Sequence, residues 1–143
     1  MKKYYLSSII YAFLALAGGV FFREFTKGFG FTGQTTLSVI HVHYFLLGTI
    51  FFLILLLLEK SFSFTNKKSN IAFILYHIGL NITCIMFLVR GILQVSGQTL
   101  SSGIDGMISG FAGIGHIILG VSLVLLLIII YQSIFKKSKA KEE

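Results

Sequence analysis

Residues 36–60 read TLSVIHVHYFLLGTIFFLILLLLEK, and no Asp, Glu, Lys or Arg interrupts them before Glu59. Roughly 20 mostly apolar residues in a helix cross the hydrocarbon core of a bilayer. The run shows no strand-like alternation. Only a helix or a closed barrel satisfies its own backbone groups in lipid, so the reading is a membrane-spanning helix over 37–58. The oddity is His41 and His43, because polar side chains at membrane depth are costly and tend to mark a function.

Three further segments have the same character, at about 4–22, 71–95 and 107–131. Between them lie REFTKGFGFTGQTT (23–36), EKSFSFTNKKSN (59–70) and SGQTLSSGIDG (96–106), polar and rich in Gly, Ser and Thr as connectors are. The chain of 143 residues is 55% hydrophobic, with no Pro and no Trp. We therefore expect a single all-α domain, an integral membrane four-helix bundle, with a basic tail over 132–143.

The net charge of +7 is distributed as membrane topology rather than as a nucleic-acid surface. Nine of the twelve basic residues lie at the N-terminus (Lys2, Lys3), in the second connector (Lys60, Lys67, Lys68) and in the tail (Lys136, Lys137, Lys139, Lys141). The positive-inside rule then puts both termini in the cytoplasm. One cysteine, Cys84, excludes an internal disulfide framework. The five acids stand near helix ends or in the tail, so neither a carboxylate proton relay nor hydrolase chemistry finds its residues.

All four histidines fall inside expected spans: His41 and His43 on the second, His77 on the third, His116 on the fourth. At 1.5 Å rise per residue, His41 and His43 lie roughly 6–9 Å below the outer surface and His116 about 13 Å. A common level for one of the pair and His116 follows, with His77 deeper. Residues two apart on a helix diverge by about 200°, so His41 and His43 cannot aim at one point. His41 shares its face with Tyr44, Phe45 and Gly48, and His43 with Leu46, Leu47 and Ile50. Gly106, Gly110, Gly113, Gly115 and Gly120 surround His116 and suit close helix contact or a flat recess for a macrocycle.

Haem b is the cofactor this pattern points to. Its iron takes axial imidazoles from facing helices of a bundle. His116 opposite His43 or His41 supplies them, His77 is a further candidate, and Arg90 and Arg23 are the cations for the propionates. The role would be electron transfer, redox or gas sensing, or haem handling, with a redox partner or a second copy of the chain as partner. Copper or zinc on two or three of the histidines is the chemical alternative. The rival from another class is a structural or interaction protein whose histidines tie helices together.

The stretches TTLSVIHVHYFLLGTIFFLILLLLEK (35–60), MFLVRGILQV (86–95) and ISGFAGIGHIILG (108–120) resemble DUF2871, a family of small four-helix membrane proteins of bacteria. The likeness runs from GGVFFREFTK (18–27) into the fourth helix. It implies a multi-pass protein of the bacterial plasma membrane and assigns no activity. More distantly, the pattern is similar to haem-copper oxidase subunit I and to a haem- and copper-binding membrane family linked to nitric oxide. That likeness carries His41 or His43 onto an early-helix ligand and His116 onto a later one. Four helices and four histidines are too few for two haems and a copper centre, so it implies haem binding rather than oxygen reduction.

Overall fold

The computed structural model describes the backbone of residues 1–142 and the side chains of residues 1–135. Every element among them is helical. They are α1 (Lys2–Gly28), α2 (Leu37–Phe62), α3 (Lys67–Val95) and α4 (Ser102–Glu142). All four are long and apolar enough to cross a membrane. The lysine side chains expected to form the basic tail lie outside the described residues, and the backbone there continues α4 as helix.

The helices are longer than the apolar runs that predict them. Membrane length counts apolar residues, whereas a helix continues as long as its backbone bonds are made. α3 begins at Lys67 because Asn66 accepts from the Ser69 amide at 3.0 Å, while the Asn66 amide donates to Ser69 Oγ at 2.8 Å. This reciprocal capping box satisfies two of the orphan donors at a helix start. α1 runs past its apolar run to Gly28, where Gly30 (φ +60°) turns the chain away. α2 stops at Ser63, whose left-handed φ of 54° closes the helix with a bond to the Glu59 carbonyl.

Chain direction alternates, so residues 1–3, 60–68 and the end of α4 share one face, and the connectors 29–36 and 96–101 share the other. α1 packs along α2, α3 packs along α4, and α2 and α3 meet between the two hairpins. On α1 the buried positions Tyr4, Ser7, Ser8, Tyr11 and Ala15 form one stripe at helical spacing. The opposite side is apolar and exposed (Phe13 70%, Leu16 69%), as a lipid-facing surface is. Glycine sets the closest crossings. A Cβ on Gly79 would stand 2.5 Å from the Leu119 amide nitrogen, and one on Gly115 2.9 Å from that of Thr83. Small residues let membrane helices gain dispersion contact in this way.

α2 is not regular throughout. Residues Tyr44–Ile50 form a π-helical segment between α-helical stretches Leu37–His43 and Phe51–Phe62. Its widened turn lets the Leu47 carbonyl accept from the Tyr76 hydroxyl of α3 at 2.8 Å. Gly48 brings the segment onto Tyr11 of α1: a Cβ there would stand 2.5 Å from the Tyr11 ring. π-segments in membrane and soluble helices often sit at functional sites, and this one starts at the residue after His43.

Candidate functional site: an imidazole layer above a polar core

Two polar layers are built on this frame. The first joins α2, α3 and α4. Phe87 of α3 meets the His43 ring at 4.9 Å and the His116 ring at 5.6 Å, both edge to face, at 72° and 71°. One phenyl ring, from α3, thus lies against an imidazole of α2 and an imidazole of α4.

Each ring is held by its own helix. His43 Nδ1 lies 2.9 Å from the Val39 carbonyl oxygen, and His116 Nδ1 lies 2.8 Å from that of Ala112. A carbonyl only accepts, so Nδ1 must carry the proton in both rings. In the neutral imidazole the lone pair then belongs to Nε2. Metal-binding histidines characteristically have their other nitrogen tied in this way, which fixes tautomer and ring orientation. His116 is exposed in the isolated chain and His43 half-buried.

His41 points elsewhere, as its spacing requires. It packs against α1, where a Cβ on Gly19 would lie 3.7 Å from its own Cβ. Its Nδ1 is buried and has no hydrogen-bond partner. Arg90 stands three residues beyond Phe87, about one turn nearer the 96–101 face. Its Nη2 bonds Asp105 at 2.9 Å and Ser109 at 2.7 Å, clamping α3 to α4. Arg23 extends from the end of α1, 79% exposed, 3.7 Å from Glu24. The structure thus brings His43 and His116 against Phe87, engages Arg90 with Asp105 and Ser109, and leaves Arg23 in the open.

The second layer lies deeper and contains His77. Tyr11 places its hydroxyl 2.5 Å from His77 Nδ1, and Ser7 Oγ lies 3.3 Å from Nε2. Phe52 and Tyr11 stack on the ring at 4.8 and 5.3 Å. With both nitrogens engaged, His77 has no lone pair to offer a metal. Asn81 stands one turn along α3 from His77, yet its amide does not bond the ring. Instead Asn81 Nδ2 donates to the His77 backbone carbonyl at 2.8 Å and to the Tyr11 hydroxyl at 3.0 Å. Asn81 Oδ1 accepts from the Tyr44 hydroxyl at 3.2 Å.

These bonds run in one sense only. The His77 carbonyl demands a donor, which fixes the Asn81 amide with nitrogen toward Tyr11 and oxygen toward Tyr44. Tyr11, accepting from Asn81, turns its own proton to His77 Nδ1, and Nε2–H then points at Ser7. A proton passing through Asn81 would need the high-energy imidic-acid form of the amide. The chain is therefore a brace across α1, α2 and α3, not a proton relay.

Sequence reasoning overlooks Phe87, Tyr11 and Tyr44. Phe87 is one of 15 phenylalanines and nothing local sets it apart. Tyr11 carries a weak signal, a hydroxyl in the middle of an apolar span. Among the described residues no three His, Cys, Asp or Glu side chains converge on a metal-sized point.

Residues 1–133 match the family DUF2871, whose description is a protein of unknown function. The chain belongs to this family. No curated protein matches it, and no solved structure does.

Proposed function

We propose that this membrane protein binds haem b, and that His43 and His116 are the residues that would hold its iron, each through Nε2. One observation carries the reading: imidazoles from separate helices rest on the same side chain, Phe87, and both have Nδ1 tied to a carbonyl. That leaves the Nε2 lone pair of each ring uncommitted to its own helix, and two imidazoles are the donor set a bis-histidine haem takes. Two neutral ligands also add no uncompensated charge within lipid. His41, with its partnerless Nδ1, is the alternative ligand on α2. Arg90 keeps donors beyond Nη2 for a propionate, and Arg23 is the second cation.

Bound haem would supply one-electron redox chemistry, and a gas-binding iron where a gas displaces one imidazole; electron transfer, sensing and haem handling are the roles that fit. The distant likeness to haem-copper oxidase subunit I belongs with this reading. A redox partner or a second copy of the chain would meet the lipid-exposed side of His116. The lysine distribution supports a reading with both termini in the cytoplasm, and the likeness to small bacterial membrane proteins supports a bacterial plasma membrane.

The test is a visible spectrum of protein purified in detergent from haem-replete cells. A Soret band that His43→Ala and His116→Ala each abolish, and His77→Phe retains, supports the assignment. A colourless protein that is folded overturns it, and metal analysis of the same sample tests copper and zinc.

A further inference from the structure

A second site lies at the other end of the bundle and is independent of the histidines. On the face that carries the chain's first residues, α3 and α4 border a groove of about 350 Å³. Ala72 and Ile129, 2% and 9% exposed, form its floor. Ile71, Leu125 and Ile128 are its walls, 42–54% exposed and turned to the bilayer. Lys68 and Gln132 stand at its mouth, and both are exposed.

The arrangement is graded along the membrane normal. From Gln132 to Leu125 the wall of α4 descends about 10 Å at helical rise, roughly the upper half of an acyl chain. Charge at the mouth is one-sided. Among the residues that line the groove Lys68 alone is charged; Lys60 and Lys67 belong to the same connector, whose acid, Glu59, has an oxygen committed to the Thr65 amide at 2.9 Å. The positive end of the α3 dipole lies at the same level, since Lys68 is the second residue of that helix.

We propose that this groove is a specific site for an anionic glycerophospholipid. Lys68 and Gln132 hold the phosphate through an ammonium and an amide N–H, and one acyl chain lies along Ile71, Ala72, Leu125, Ile128 and Ile129. A basic pocket between membrane helices recognises acidic headgroups by this chemistry. Charge complementarity selects this occupant over a zwitterionic lipid, whose choline would face the same lysines.

Native mass spectrometry of the full chain in detergent tests the site, with phosphatidylglycerol and phosphatidylcholine as probes. Phosphatidylglycerol should be retained about fivefold more tightly, the factor expected of one lysine near an anionic headgroup. Lys68→Glu should remove that preference. Leu125→Trp should weaken retention of both lipids; its side chain faces lipid, and an unchanged elution volume and helical content check that the variant is folded. Equal retention of the two lipids by the native chain overturns the proposal, as does a preference that survives Lys68→Glu. Inorganic phosphate should leave phosphatidylglycerol bound; displacement by it would make this a phosphate site and overturn the lipid assignment.

Discussion

The Tyr11 hydroxyl and His77 Nδ1 are 2.5 Å apart, and their rings stack at 5.3 Å. The pair joins α1 to α3 where the backbones do not approach closely. Tyr11→Phe keeps the ring and deletes the hydroxyl, leaving His77 Nδ1 and an Asn81 N–H without partners. Each unpaired buried group costs about 1–3 kcal/mol, though interhelical bonds in bilayers average nearer 0.6 kcal/mol. We expect a loss of about 1–2 kcal/mol, read as a lower denaturation midpoint in detergent.

Gly79 and Gly110 make a matched contrast on the two sides of the hairpin formed by α3 and α4. A methyl at Gly79 would meet the Leu119 backbone, which cannot rotate away, whereas nothing lies within 4 Å of a methyl at Gly110. Gly79→Ala should therefore destabilise by about 1–3 kcal/mol. Gly110→Ala should be neutral or stabilise by up to about 1 kcal/mol through helix propensity. Paired thermal unfolding curves decide it; equal effects would show that α3 and α4 are not this close.

Removing the Asn66 side chain should unwind the start of α3. Asn66→Ala loses the acceptor for the Ser69 amide, and such caps contribute about 0.5–2 kcal/mol. Hydrogen exchange should quicken over 67–70 and stay slow around residue 80, where Leu80 is fully buried.

Phe87→Ala tests the proposed cofactor layer without touching a ligand. Groups that hold metal ligands in place affect affinity by about 10–100-fold. Haem should leave the variant at least tenfold more readily than the unaltered chain in a transfer assay to a soluble haem acceptor. A rate that does not change would separate Phe87 from the ligands.

The spans were legible because lipid solvation is a one-dimensional constraint: a run such as FFLILLLL tolerates no other reading. Their ends were less so. Counting apolar residues starts α3 at Ile71, whereas the Asn66–Ser69 cap starts it at Lys67. Serine at the third helical position is a weaker textual cue than the glutamate or glutamine of a common capping box. The divergence of His41 and His43 was also readable, since helical pitch alone imposes it. What each ring meets was not. Phe87, Tyr11 and Tyr44 acquire roles through packing between helices, which sequence spacing on one helix does not encode. The π-helical segment was equally hidden, for YFLLGTI differs little from any lipid-facing run, and only the Tyr76 hydroxyl discloses why it persists.

The amide of Asn81 has a consequence for how the bundle can vary. A column made solely of hydroxyls and imidazole could reverse by turning each hydroxyl and moving the ring proton from one nitrogen to the other. An amide has distinct ends, so that column is frozen like a diode soldered one way round. Aspartate in its place, nearly the same shape, would set an acceptor against the His77 carbonyl, so it would have to hold a proton there and would give the column a titratable carboxylate.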